Sequence, residues 1–176
     1  MYRHVKACVK QDGQLSEYFE CPVGLKQGCM ASPKLFSLFI NELAIKMKQD
    51  PNLKGIQLRP NDIEILLLMF ADDISFLADT VRGLQRQLDV LYSFCQSSCL
   101  KVNIQKTKVM VFRKGGRLSR NESWTYNGER LEVVPSFTYV GVTFTSSLSL
   151  NAMASDMATK AKKALLSILS SLYEYG

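Results

Sequence analysis

The stretch that most limits what this chain can become is ILLLMFADDISFLAD, residues 65–79. Seven apolar residues, Ile65 to Ala71, run straight into Asp72 and Asp73, and Ile74, Phe76 and Leu77 then resume the apolar pattern. Burying an unpaired carboxylate is costly, so the fold must bring this pair to a place that positive charge can reach. The run is well short of the roughly 18–20 apolar residues that span a bilayer, and the acids interrupt it. Two strands joined at the Asp pair satisfy both demands. Ile63 to Phe70 is apolar on both sides, the pattern of a central strand covered on both faces. Asp72-Asp73 would form the tight turn and Ser75 to Ala78 the return strand.

The rest of the chain reads as alternating strand and helix signals. Residues 3–23 predict a hairpin about Asp12-Gly13, with Leu15 to Val23 as its second strand. Gly24 and Gly28 mark a loop. Ser32-Pro33 then starts a helix, with Ser as N-cap and Pro in the first turn. Leu35, Leu38, Phe39, Leu43, Ala44 and Met47 carry its apolar face, and it should end near Asp50-Pro51. Gly55 to Ile74 reads as strand, turn and strand, broken at Asn61-Asp62. Thr80 caps a second helix with the stripe Val81, Leu84, Leu88, Leu91 and Cys95, while Arg82, Arg86 and Asp89 face out. Further strands are expected at Val109–Phe112 and Phe137–Phe144, with a hairpin about Asn127-Gly128 between Trp124 and Val134. A last helix, from about Leu150 to Tyr173, should turn Met153, Met157, Ala161, Ala164, Leu165, Ile168 and Leu172 inward. With no internal repeat and no long linker, this is an α+β pattern.

Composition narrows the function classes. A 176-residue chain that is 47% hydrophobic is long and apolar enough for a real core. MYRHVKACVKQDG is basic but lacks an apolar leader core or small-residue cleavage site, so no secretory signal is expected and the setting should be intracellular. Five irregularly spaced cysteines (Cys8, Cys21, Cys29, Cys95 and Cys99) argue against a disulfide framework. Cys95-x-x-x-Cys99 has zinc spacing but no second pair, and buried or surface thiols are the alternative. A net charge of +6, from 22 Lys and Arg against 16 Asp and Glu, is compatible with nucleic acid without requiring it.

A carboxylate pair held on a hairpin is a rigid mount for a divalent cation, which takes oxygen ligands and keeps waters and substrate phosphates in its shell. A plain polar turn is the alternative for an isolated Ala-Asp-Asp. Four motifs in order enlarge the context. Gly24-Leu25-Lys26-Gln27-Gly28-Cys29 followed by Ser32-Pro33-x-Leu35-Phe36 and Ile40-Asn41-Glu42-Leu43 resembles the B motif of the reverse transcriptases of non-LTR, LINE-type retrotransposons. Phe70-Ala71-Asp72-Asp73 resembles their catalytic C motif. Leu100-Lys101-Val102-Asn103-Ile104-Gln105-Lys106-Thr107-Lys108 resembles the D motif. Phe137-x-Tyr139-Val140-Gly141-Val142 resembles the E motif, the primer grip. Met30-Ala31 and Lys34 depart from the usual pattern, which has bulkier apolar or apolar residues there.

The resemblance implies a palm-type antiparallel sheet with packed helices, an incomplete right-hand polymerase fold. Residues 1–145 would be the partial palm, and 146–176 the helix that begins the thumb or connection. It implies RNA-directed DNA polymerisation by two-metal nucleotidyl transfer, with Mg²⁺, or Mn²⁺ in its place, held by Asp72 and Asp73. Asp73 is the less direct ligand, because adjacent strand residues face opposite ways. Lys106 would be the general acid for the pyrophosphate leaving group, or simply a charge near phosphates. Gln27, Gly28, Ser32 and Pro33 would bind substrate and template, and Tyr139 and Gly141 would support the primer end. RNA template, DNA primer and dNTPs are the implied partners, with no membrane, and a nuclear location follows from the family.

The 23 residues ahead of Gly24 read as a hairpin and carry no counterpart of the family's A motif, which holds another metal-binding aspartate. Fingers and endonuclease are likewise not represented. The expectation is a B-to-E half of a palm, inactive alone. Two other readings stay open. One is a non-catalytic nucleic-acid-binding remnant using Lys6, Lys10, Lys26, Lys101, Lys106, Lys108, Arg113, Lys114 and Arg117. The other is a relic without function.

Overall fold

Where the sequence places Asp-Gly, the backbone turns. In the computed structural model, which describes residues 5–22, 24–58 and 63–173, Asp12 and Gly13 take φ of 50° and 83°. Positive φ at both central residues matches the right-handed twist of the flanking strands, and Asp and Gly tolerate it. The turn joins β2 (Lys10–Gln11) to β3 (Gln14–Leu15), nested inside the antiparallel pair of β1 (Lys6–Ala7) with β4 (Phe19–Glu20). Ser16 bridges the two pairs: its amide donates to the Val9 carbonyl at 2.9 Å and its hydroxyl accepts from the Val9 amide at 2.9 Å. This hairpin and most of α1 (Ser32–Gln49) form one unit, Met1–Ile45; the second is Lys46–Gly176. The helix buries Ile40, Leu43, Ala44 and Met47, a stripe at helical spacing, and stops at Gln49 just before Asp50-Pro51.

The second unit opens with β5 (Ile56–Gln57), β6 (Glu64–Ile65), β7 (Leu67–Phe70) and β8 (Asp73–Phe76). β5 pairs with β6 and β7 with β8, both antiparallel. Asn61 and Asp62, the expected break, lie outside the described residues. Gly55 is buried against β6; a Cβ there would stand 2.2 Å from the Ile65 carbonyl oxygen. α2 (Val81–Ser97) starts as the sequence predicts. Thr80 is extended at φ −129°, ψ 151°, and its hydroxyl accepts from the Gly83 amide at 3.0 Å. The helix buries Gln87, Leu88, Leu91, Phe94 and Cys95 and exposes Arg82, Arg86 and Asp89.

After α2 come β9 (Lys108–Val109), β10 (Thr125–Tyr126), β11 (Glu129–Arg130), β12 (Glu132–Val133), β13 (Ser136–Tyr139), β14 (Val142–Thr145) and α3 (Leu150–Tyr173). β10 and β11 form the hairpin expected at Asn127-Gly128, with φ of 50° and 79°. Trp124 is buried and donates its indole N–H to the Val81 carbonyl at 3.0 Å, and Gln85 exchanges two bonds with the Thr125 backbone. Tyr92 meets Tyr126 edge-on at 5.7 Å. Among the described residues the strands pair two by two, all antiparallel except β9 with β12. With three helices, the chain is mixed α and β.

Several expectations need correction. Of the apolar face expected on α1, Leu35, Leu38 and Phe39 are exposed. The strand expected over Ile63–Phe70 is interrupted at buried Leu66, and it is not covered on both faces: Leu68, Met69 and Phe70 are 45%, 37% and 60% exposed. Among the described residues β7 pairs with β8 alone, which leaves an edge and a face open. Residues 137–144 are a hairpin, not one strand, because Val140 and Gly141 both take positive φ, 48° and 80°. Ladder pairing at 109–112 stops at Val109, because β12 offers only two residues. The apolar stripe of α3 is not inward: Met157, Leu165 and Ile168 are exposed, as are Ala161 and Ala164, and only Met153 is half-buried; the Leu172 side chain lies outside the described residues. Periodicity identifies an apolar face, but a cover for it must come from elsewhere.

Candidate functional site

The Asp pair sits at the tip of the β7–β8 hairpin. Register pairs Leu67 with Phe76, Leu68 with Ser75, Met69 with Ile74, and Phe70 with Asp73. The turn is therefore Ala71-Asp72, and Asp73 is the first residue of β8 rather than a turn residue. Ala71 carries φ 52°. Positive φ at the first central position alone belongs to the mirror-image turns favoured between twisted strands, at a cost to any residue with a Cβ. Residues opposite one another share a face. Leu68, Phe70, Asp73 and Ser75 line the open face; Leu67, Ile74 and Phe76, all half-buried, line the other with Met69. Asp72 and Asp73 are both exposed.

The hairpin is anchored at its base. The Leu77 amide donates to the Leu66 carbonyl at 2.8 Å, and the Leu77 carbonyl accepts from Gln87 Nε2 at 2.9 Å. Gln87 is fully buried, and its Oε1 has no partner. A buried unpaired carbonyl is unfavourable, so the side chain is held by what its amide nitrogen does. Gln87 ties α2 to Leu77, the residue that follows the strand carrying Asp73, a role missed from sequence. Its signal was a polar residue inside an apolar stripe.

The other site candidates fall in distinct local settings. Gln27 and Gly28 belong to the first unit and are exposed in a turn, Gly28 at φ 77°. The Cys29 amide reaches the Lys26 carbonyl at 3.4 Å, and the Ser32 hydroxyl donates to the same carbonyl at 2.7 Å, folding the loop onto the start of α1. Pro33 follows in the first helical turn, and Ser37 donates to its carbonyl at 2.9 Å. In the second unit Lys106 lies in a turn closed by Asn103. Asn103 Oδ1 and backbone oxygen each accept from the Lys106 amide at 3.2 Å, and the Thr107 amide and hydroxyl add bonds of 3.0 and 2.8 Å to that backbone oxygen. The Lys106 side chain is exposed. Tyr139, half-buried, is the last residue of β13, and Gly141 is the second turn residue before β14.

Two of the expected nucleic-acid cations are already paired. Lys108 meets Glu132 at 2.5 Å, and Arg113 meets Glu122 at 2.7 Å and donates to the Arg117 carbonyl at 2.8 Å. The Glu122 pKa is lowered, first by the Arg113 bond and then by the Ser119 amide. Arg113 thus organises loop 113–122, while Lys114, Arg117 and Arg120 remain exposed on it.

Residues 2–144 match the family described as reverse transcriptase (RNA-dependent DNA polymerase). This chain belongs to the reverse transcriptase family. The match spans Gln27, Gly28, Ser32, Pro33, Asp72, Asp73, Lys106, Tyr139 and Gly141, and it ends within β14, ahead of α3. The chain is also 26% identical over 107 residues to the transposon TX1 uncharacterized 149 kDa protein of Xenopus laevis; the aligned stretch covers 61% of this chain and 8% of that protein.

Among the described residues of this reverse transcriptase family member, no three His, Cys, Asp or Glu side chains gather as a metal cluster. Asp72 and Asp73 offer hard oxygen ligands only. Such a pair fits Mg²⁺, which is usually held by one or two carboxylates plus water and substrate phosphates. Cys95 and Cys99 do not resemble a zinc pair: Cys95 is buried with its thiol pushed up by desolvation, Cys99 is exposed, and both are free. No helix among the described residues is long and apolar enough to cross a membrane.

Proposed function

We propose that this chain carries the B-to-E part of the palm of a non-LTR retrotransposon reverse transcriptase. The observation that carries the reading is the β7–β8 hairpin, which presents Asp72 at its turn and Asp73 on an open face, inside the family match. Residues 1–145 would be palm and 146–176 the start of the thumb or connection. The similarity to a transposon protein supports the non-LTR assignment. RNA template, DNA primer and dNTPs are the partners that follow.

The roles divide by chemistry. Asp72 and Asp73 would hold Mg²⁺, which supplies charge stabilisation for the phosphoryl transfer when bound. Lys106 would hold a proton at Nζ for the pyrophosphate leaving group. Its rigid Asn103 turn fixes where that side chain begins, which limits the search a flexible loop would impose. Gly28 leaves room for close approach of a ligand, since nothing lies within 4 Å of the position a Cβ would take. Gln27 can bond base or sugar edges. Val140 supports the primer-grip role of Tyr139 and Gly141. A β-branched residue at positive φ is strained, and such strain persists where a side chain is needed.

By itself the 176-residue chain is inactive on this reading, because two adjacent carboxylates on one hairpin are only part of a two-metal ligand set. The test is primer extension with Mg²⁺. The chain alone should give no more product than Asp72→Ala. Fused behind the fingers and A-motif segment of a related reverse transcriptase, it should extend a DNA primer on RNA in an Asp72-dependent way. Extension indifferent to Asp72 in the fusion would overturn the assignment. Extension by the isolated chain above the Asp72→Ala level would overturn its inactivity.

A further inference from the structure

The helix outside the family match reaches back to the one hairpin tip that the match includes near its end. Four polar contacts, all within the second unit, make the connection. Lys160 Nζ donates to the Gly141 carbonyl at 2.8 Å and to Asp156 Oδ2 at 2.8 Å. The Thr143 hydroxyl donates to the same Asp156 oxygen at 3.0 Å. Thr138, the cross-strand partner of Thr143, sits with its hydroxyl 3.0 Å from that of Thr143. A hydroxyl has one proton to give. Thr143 spends its proton on Asp156, so Thr138 is the donor of the last contact. Donors therefore run in one direction, Thr138 to Thr143 to Asp156, and Lys160 closes the circuit onto the turn.

The contact is specific to the tip. Val140 and Gly141 are outside the β13–β14 ladder, which ends at the pair Tyr139 and Val142. The Gly141 carbonyl is thus available to an outside donor, and Lys160 takes it. Asp156 and Lys160 are one helical turn apart, so both face the hairpin. Among the described side chains, apolar packing adds little beyond them. Met153 is half-buried, but every described side chain of α3 from residue 157 to 170 is exposed. The polar contacts set where the helix meets the hairpin.

We propose that Asp156 and Lys160 are positioning residues that lock the tip of the β13–β14 hairpin and so set where Val140-Gly141 meets the 3′ end of a primer. The inference rests on the primer-grip reading of Tyr139 and Gly141. It adds that the grip is completed from α3, by residues the family match does not include.

The test uses the whole 176-residue chain with two readouts: amide hydrogen exchange without nucleic acid, and affinity for an RNA–DNA duplex with a recessed 3′ end against a blunt duplex of equal length. In Lys160→Met, amides 140–142 should exchange about tenfold faster, while those of α2 keep wild-type protection. Preference for the recessed end should fall with them. Asp156→Asn should shift both in the same direction, and Lys160→Arg should restore both. Loss of one charge alone would weaken both duplexes equally, an outcome that would refute the positioning role. Unchanged exchange at the tip in Lys160→Met would refute the lock. A wild-type chain with no preference for the recessed end would overturn the primer reading itself, and exchange, measured without nucleic acid, tells that failure apart from failure of the lock.

Discussion

Gly55→Ala should be among the most damaging single-methyl changes in the second unit. Gly55 has no positive φ to explain it; the reason for glycine is contact. An added Cβ would lie 2.2 Å from the Ile65 carbonyl oxygen, 2.4 Å from its carbon and 2.7 Å from the Leu66 nitrogen. Ordinary contacts of this kind are about 3.5–4.0 Å, so backbone must retreat by more than about 1 Å. No side chain can swing aside, because the atoms met are all main chain. Overpacking of a closed site costs about 1–3 kcal/mol. The retreat also strains the bond from the Gly55 amide to Glu64 Oε1, 2.7 Å long; a hydrogen bond to a charged group is worth about 1.5–3 kcal/mol. Reduced freedom of the unfolded chain returns about 0.4–1 kcal/mol. The net expectation is a destabilisation of about 2–4 kcal/mol, read as a lower urea midpoint at unchanged slope. Gly83→Ala is the control. Its Cβ would press on the Thr80 hydroxyl at 2.8 Å and otherwise meet the Ala78 Cβ at 3.6 Å, an ordinary contact. Helix propensity gains about 1 kcal/mol there and a weakened cap loses about as much, so the midpoint should barely move. If Gly55→Ala unfolds within about 0.5 kcal/mol of wild type, the size of an ordinary surface substitution, the close-approach argument is wrong.

Other outcomes follow from particular side chains. Val140→Asn should stabilise the chain by about 1 kcal/mol, since Asn tolerates positive φ where Val does not; a lower thermal midpoint would contradict the strain assigned to that turn. Cys99 should react with a thiol reagent in the native chain and Cys95 only after unfolding, because Cys95 is buried and desolvation raises its pKa; mass spectrometry showing equal labelling would refute this. Asp50, Glu122 and Asp156 all have depressed pKa values, caused first by bonds to Arg86, Arg113 and Lys160. Depressed carboxylates contribute stability that is fully present above their unfolded pKa values and is lost as pH falls through the folded ones. The unfolding midpoint should therefore fall below about pH 4, and Arg113→Met should flatten that fall; an acid-insensitive midpoint would count against these pairs.

Turns were legible where residue chemistry names them. Asp12-Gly13 and Asn127-Gly128 are turns in the structure because both partners accept positive φ. Val140-Gly141 was read as strand because Val announces the opposite, and nothing local outweighs that signal. Thr80 was found because its hydroxyl and the following apolar stripe coincide. Burial was less legible. The apolar runs at Ile63–Phe70 and along α3 are real, but a pattern within one segment carries no information about what lies against it. The same division holds at the site. Asp72 and Asp73 stand out as candidates through their motif and the oddity of acids in an apolar run. Lys108 and Arg113 were counted as available cations because their partners, Glu132 and Glu122, are 24 and nine residues away. Asp156 and Lys160 are marked in the sequence only by an Asp four residues before a Lys, a weak signal beside the apolar stripe of the same helix.

The two-by-two pairing of strands has a consequence for how the chain acquires its shape. Five of the described pairs join strands that are neighbours in sequence, and β1 with β4 merely encloses one of them. Local pairings of this kind close small loops, and isolated hairpins form in about 1–10 μs. Only β9 with β12 must wait, because Lys108 finds Glu132 across an intervening hairpin and the loop at 113–122. Contacts close in sequence are the fast ones, and distant ones carry the loop-closure cost. The hairpin that bears Asp72 is therefore assembled from residues 67–76 alone, early and without help from α3. The β9–β12 join, stapled by Lys108 and Glu132, then commits the later half of the unit to the earlier one together with the contacts of Trp124 and Thr125 to α2.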